Sequence, residues 1–134
     1  MIVIDCSAMV ELLVASTDAG AAIAGRLAAT QSLNAPYVHD GEVVSALLGL
    51  TRGQKITERE ADAALLNYRA FPIERHDVLP LWPRIKVLYA SLSAYDAQYV
   101  ALAEALSIPL ITADARIGRS TVARCAIEVF GNRA

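Results

Sequence analysis

The chain alternates short, wholly apolar runs with longer stretches in which apolar residues recur at helical spacing. Ile2-Val3-Ile4 is the first such run. Three consecutive apolar residues suit a strand covered on both faces, as in a parallel sheet. The run ends in Asp5-Cys6-Ser7, where Ser7 is placed to cap a helix over residues 8–15. Thr17 or Asp18 can cap a second, alanine-rich helix to about residue 29, and Pro36 then breaks the chain. Asp40 is placed to cap a third helix, which carries Glu42, Val43, Val44, Ala46, Leu47, Leu48 and Leu50 and stops at Gly53. Thr57 followed three residues later by Glu60 is a capping box opening a fourth helix to about residue 70.

Phe71-Pro72-Ile73 is a strand candidate. Asp77 can cap the next helix, with Pro80 in its first turn and Pro83 late enough to disturb it. Ser93 can cap a helix over residues 94–106, and Pro109 follows its end. Leu110-Ile111-Thr112 reads as a strand leading into Ala113-Asp114 and a short helix over 114–119. Ile127-Glu128-Val129-Phe130 is the last strand. Short apolar strands separated by helices predict an α/β fold with a parallel sheet, one domain over residues 1–134.

Composition narrows the class. With 134 residues, 55% of them apolar and 19% charged, a disordered chain is excluded. Part of the apolar excess is alanine; the rest suggests a surface for self-association or a partner. Two cysteines, Cys6 and Cys125, make no disulfide framework and no metal-ligand spacing, and both are expected as buried thiols beside strands. There is no apolar run long enough to cross a membrane. The N-terminus lacks a basic segment and carries Asp5 within its first apolar stretch, so a cytoplasmic protein is expected. The formal net charge is −2, unlike a general nucleic-acid binder with a broad basic face.

Four acids stand out by position. In open parallel sheets, ligands bind beyond the carboxyl ends of the strands. Asp5 and Asp114 end two strands, while Glu42 and Asp96 open two helices, each in an apolar setting. Each also has a local structural reading: a strand-end turn for Asp5, a helix N-terminal acid for Glu42 and Asp96, an N-cap for Asp114. Carboxylates near a core need partners, and no lysine or arginine lies close in sequence to Asp5 or Asp96. If the four converge, a divalent cation relieves their repulsion, and all-oxygen ligands favour Mg²⁺ or Mn²⁺.

Other polar residues read as structural. Glu11, Glu58, Glu60, Asp62 and Glu104 fall on helical positions as solvated faces, and Asp18, Asp40 and Asp77 as caps. His39 and His76 have no second histidine or cysteine nearby and are expected at the surface or in loops. Trp82, Tyr89, Tyr95 and Tyr99 suit a core or a dimer surface better than a base-stacking platform.

The motifs resemble those of PIN domains. Ile2-Val3-Ile4-Asp5-Cys6-Ser7-Ala8 is similar to their opening strand and Asp-x-Ser motif, and Glu42-Val43-Val44-Ser45-Ala46-Leu47 to their second acidic motif. Leu92-Ser93-Ala94-Tyr95-Asp96-Ala97 with Tyr99-Val100-Ala101-Leu102-Ala103 is similar to the third, and Pro109-Leu110-Ile111-Thr112-Ala113-Asp114 to the fourth. Order, spacing and length resemble the VapC toxins of VapBC toxin–antitoxin pairs, over nearly the whole chain. The resemblance implies a three-layer α/β/α fold with a short central parallel sheet and a metal-dependent endoribonuclease. Asp5, Glu42, Asp96 and Asp114 would hold Mg²⁺, with Mn²⁺ able to substitute, and Ser7 and Thr112 would support them through their hydroxyls. It further implies an RNA substrate such as tRNA or ribosomal RNA, a small antitoxin partner and a homodimer. Some members carry a further acid after the fourth; here that region holds Arg116, Ser120 and Thr121. Arg116 and Arg119 are candidates for substrate phosphates or for a salt bridge to a site carboxylate.

Two other acid-rich α/β classes fit poorly. A receiver domain needs an acidic pair after its first strand and a late lysine, whereas Cys6-Ser7 follows Asp5 and the last lysine is Lys86. A haloacid-dehalogenase-like phosphatase needs Asp-x-Asp, and position 7 is Ser7. The remaining alternative is a catalytically silent PIN-fold module that binds RNA or regulates.

Overall fold

The computed structural model describes residues 1–14, 17–30 and 32–133. Among them lies a five-stranded, wholly parallel sheet in the order β3-β2-β1-β4-β5. The strands are β1 (Ile2–Ile4), β2 (Leu33–Pro36), β3 (Ile73–His76), β4 (Leu110–Asp114) and β5 (Ile127–Arg133). The helices are α1 (Cys6–Val14), α2 (Asp18–Ala28), α3 (Val38–Arg52), α4 (Glu58–Ala70), α5 (Trp82–Leu88), α6 (Ala94–Leu106) and α7 (Ala115–Gly118), with a 3₁₀ turn over Leu79–Leu81. No single helix among the described residues is long and apolar enough to span a membrane.

The strand order dictates the layers. From β1 to β3 the chain steps one way across the sheet; from β3 to β5 it returns and continues the other way. Parallel crossovers are right-handed, so the two directions of travel put their helices on opposite faces. The contacts agree: α1 packs on α2, α3 and α4, while α6 packs with α5 and lies against β1 and β2. The result is the expected three-layer α/β/α architecture around a short parallel sheet.

The central strands are the core. Ile2, Val3, Ile4, Leu110 and Ile111 are fully buried. On one side α6 buries Ala97, Tyr99, Val100, Ala101, Leu102 and Ala103, and its alanines let it lie close to the strands. On the other, Ala8, Met9 and Val10 of α1 fill the layer beneath α3, which contributes Val43 and Leu47.

Several local expectations hold. Thr17 caps α2, Thr57 and Glu60 form the capping box of α4, Ser93 caps α6, and Gly53 ends α3. Others are corrected. Helix α1 starts at Cys6, and its cap is Asp5, whose Oδ1 accepts from the Ala8 N–H at 2.9 Å; Ser7 lies inside the helix. The predicted end of that helix at Ala15 lies outside the described residues. Asp40 does not cap α3. It sits in the first turn and binds Arg75 through both oxygens, at 2.9 and 3.0 Å, while accepting from the Tyr68 hydroxyl. Pro83 disturbs nothing, because a new helix begins at Trp82 and puts it in the first turn. Asp77 instead accepts from Leu79 N–H at the start of the 3₁₀ turn. Glu104, expected on a solvated face, is held by Arg84 at 2.7 Å and by the Arg124 N–H. Cys6 and Cys125 are half-buried thiols.

Strand β2 is not predicted by the pattern at all. Asn34 is nearly fully buried in it, where its amide donates to Ile2 O and its oxygen meets His76 Nε2 at 2.8 Å. Pro36 is tolerated as the strand's last residue, where little pairing follows. Strand β3 starts where Phe71-Pro72-Ile73 is expected to end, because its Glu74, Arg75 and His76 mark a polar edge strand.

The Asp40–Arg75–Tyr68 cluster ties α3 to β3 and α4. Arg75 holds the Asp40 carboxyl below its ordinary range. A carboxylate with a lower pKa folded than unfolded stabilises the fold above the unfolded value and loses that contribution as pH falls. Asp40→Asn should therefore cost about 1 kcal/mol at pH 7, and urea unfolding at pH 3 should show the gap from wild type closing.

Candidate active site

The order of the sheet reverses at β1, which pairs with β2 on one side and β4 on the other. This is the switch point at which an open parallel sheet leaves a crevice beyond its carboxyl ends. Asp5 follows β1 there, and Thr112 and Asp114 lie in the last three residues of β4.

Asp5 is 4% exposed. Its Oδ1 accepts from Ser7 Oγ at 2.7 Å and from Ala8 N–H, and its Oδ2 accepts from the Thr112 hydroxyl. Ser7 Oγ in turn accepts from the Ala113 N–H at 3.0 Å, so two hydroxyls bind the end of β1 to the end of β4. Three donors favour the carboxylate, but burial outweighs them and Asp96 adds repulsion. The Asp5 carboxyl is pushed up to about 6.

The other three acids arrive on separate elements. Glu42 stands one turn into α3 and is partly buried; its Oε1 accepts from the Tyr99 hydroxyl at 2.7 Å. Asp96 lies in the first turn of α6, whose cap Ser93 accepts from the Asp96 N–H. Burial raises the pKa of both above the ordinary carboxylate range, and Asp96 adds repulsion to Glu42 as Asp114 does to Asp96. Asp114 ends β4 and caps α7 through the Arg116 N–H. Its Oδ2 meets the Arg116 guanidinium at 2.9 Å, which holds the Asp114 carboxyl below its ordinary range. Arg119, on the exposed end of α7, adds a weaker positive field there.

All four acids line one cavity of about 240 Å³, together with Ser7, Tyr99 and Ile117. In their present rotamers no three of the described His, Cys, Asp or Glu residues converge tightly enough to hold a metal ion. Glu42 gives one oxygen, Oε1, to the Tyr99 hydroxyl, and Asp114 is turned to Arg116. The donor chemistry nonetheless fits a hard divalent cation: four carboxylates at one cavity, with burial and mutual repulsion opposing the charge on Asp5, Glu42 and Asp96. Asp114 is held by an arginine whose side chain is 67% exposed, so exchanging that partner for an ion loses little.

Two side-chain roles behind the site were not anticipated. His39, expected at the surface or in a loop, is fully buried, with Nδ1 2.7 Å from the Tyr99 hydroxyl. Tyr99 is core, but its hydroxyl reaches Glu42. The signal was present as spacing: His39 precedes Glu42 by three, and Asp96 precedes Tyr99 by three, so each pair shares a helix face.

Comparison with known proteins gives the same family. The PIN domain profile matches residues 2–121. The chain is 38% identical over 129 residues to Ribonuclease VapC9 of Mycobacterium tuberculosis, covering 96% of this chain and 98% of that protein. VapC ribonuclease Mb0985 of Mycobacterium bovis matches with the same identity and coverage. The fold resembles the crystal structure of Mycobacterium tuberculosis VapC20, titled a Sarcin-Ricin loop cleaving toxin, with a TM-score of 0.66 over 88% of this chain and 93% of that one, at 17% identity. With the PIN domain profile matched over residues 2–121 and 38% identity to VapC ribonucleases over nearly the whole length, the chain belongs to the PIN-domain family, among the VapC ribonucleases.

Proposed function

We propose that this protein is a divalent-metal-dependent endoribonuclease, the toxin of a toxin–antitoxin pair. The observation that carries the reading is the meeting of Asp5, Glu42, Asp96 and Asp114, from four separate elements, around one cavity at the sheet's switch point. Kinship with the VapC ribonucleases supports it. When bound, Mg²⁺ or Mn²⁺ would acidify a water and offset charge on the scissile phosphate.

The chain's own residues supply the frame. Asp5, held by Ser7, Ala8 and Thr112, would be the most rigid ligand. Glu42 and Asp96 would complete the set from the two helical layers, and Asp114 would join on leaving Arg116. The freed guanidinium, with Arg119, would then be available to a substrate phosphate. With the four acids committed to an ion, ten acids face twelve cations, and the balance that RNA meets turns positive.

Exposed apolar side chains support a protein partner or a second copy. Tyr37, Leu48 and Tyr95 are more than half exposed, as are Leu79, Trp82 and Tyr89. The opposing reading, a silent module that binds RNA without cutting it, draws on the Arg116–Asp114 pair. The two differ in metal binding.

Asp5→Asn, Asp96→Ala and Asp114→Ala should each lower cleavage of cellular RNA, mapped by end sequencing, by at least about a hundredfold with circular dichroism unchanged. Full cleavage by Asp96→Ala would refute the site. Without metal, Asp5→Asn should be more stable than wild type at neutral pH by about 1–3 kcal/mol, because it removes a buried charge. Millimolar Mn²⁺ should raise the melting temperature of wild type and leave that of Asp5→Asn in place.

A further inference from the structure

His39 is a costly residue to bury. It is fully enclosed between the Tyr68 and Tyr99 rings, at centroid distances of 5.7 and 5.8 Å. Among the described residues its Nε2 is the buried side-chain nitrogen or oxygen that finds no hydrogen-bond partner. Such an atom carries a desolvation cost that an apolar side chain of similar size would avoid. Packing alone gives no reason for an imidazole here.

Counting protons gives one. The Tyr99 hydroxyl carries a single hydrogen and makes two contacts of 2.7 Å, one to Glu42 Oε1 and one to His39 Nδ1. An ionised Glu42 can only accept. The Tyr99 hydrogen therefore goes to Glu42, and the other contact is a hydrogen bond only if Nδ1 carries the proton and donates. Burial keeps the imidazole neutral by pushing its pKa down to about 4. Nε2 is then a bare lone pair, and the less costly half of the ring is the half left unpartnered.

We infer that His39 and Tyr99 are positioning residues for Glu42, forming a one-way chain from His39 Nδ1–H to the Tyr99 hydroxyl to the Glu42 carboxylate. The chain holds Glu42 in one rotamer at the cavity and sets how strongly its carboxylate can bind a cation there. This rests on the reading of Glu42 as a cation ligand. His39 and Glu42 share α3, and Tyr99 and Asp96 share α6, so the same two bonds fix the spacing of the acids that the two helices deliver. Outer-shell partners of this kind are worth about 10–100-fold in metal affinity.

The test combines ¹⁵N NMR of the His39 ring in the metal-free protein with Mn²⁺ titration calorimetry. Wild type should show the Nδ1–H tautomer. Tyr99→Phe, which keeps the ring and removes the hydroxyl, should bind Mn²⁺ about tenfold more weakly, as should His39→Leu. His39→Asn, whose amide nitrogen replaces Nδ1 as donor, should recover most of the loss. An Nε2–H tautomer in wild type, or Mn²⁺ affinity unchanged in Tyr99→Phe, overturns the inference. If His39→Leu does not fold, the near-isosteric Tyr99→Phe carries the comparison. If wild type binds no Mn²⁺, it is the metal reading that fails. The tautomer then decides the hydrogen-bond chain: Nδ1–H upholds it and Nε2–H overturns it.

Discussion

The structure depends on keeping one carboxylate out of water at the end of β1. Asp5 is both the N-cap of α1 and the bond between two central strands, because Ala8 N–H, Ser7 and Thr112 all donate to it. Those donors do not fully replace water, and the carboxyl stays hard to ionise. A fold selected only for stability would place an amide or an apolar residue there. Instead the strand end, the helix start and the neighbouring strand are all arranged around a buried acid, which concentrates unrelieved negative potential at one spot.

The sheet order then aims the remaining acids at that spot. Reversal of direction at β1 puts α3 and α6 on opposite faces. Each brings a first-turn or second-turn acid over the same edge. Asp114 arrives from β4 beside β1. Four residues far apart in sequence thus share a cavity through topology, without any being adjacent along the chain. The Tyr99 hydroxyl links the two helical layers across the site, and Arg116 neutralises part of the charge from the solvent side.

Legibility varied with how local the cause was. Caps at Thr17, Thr57 and Ser93 were readable because a cap is a contact over three residues. Strands β1, β4 and β5 were readable as apolar runs. Strand β2 was hidden: Asn34 and Pro36 look like a turn, and the partners that satisfy Asn34 are Ile2 and His76, far along the chain. Asp40 looked like a cap for the same reason, since nothing local announces that Arg75 and Tyr68 will claim it.

The sequence by itself determined the class of fold and the four acids as candidates, because apolar periodicity and acids at strand and helix starts are short-range patterns, and its motifs carried the resemblance to PIN domains. Only the tertiary structure decided that those acids line one cavity, that burial opposes the charge on three of them and an arginine holds the fourth, and that His39 and Tyr99 stand behind Glu42. Burial, field and hydrogen-bond partner are properties of what the folded chain brings near. For each of these residues the deciding neighbour comes from another strand or helix.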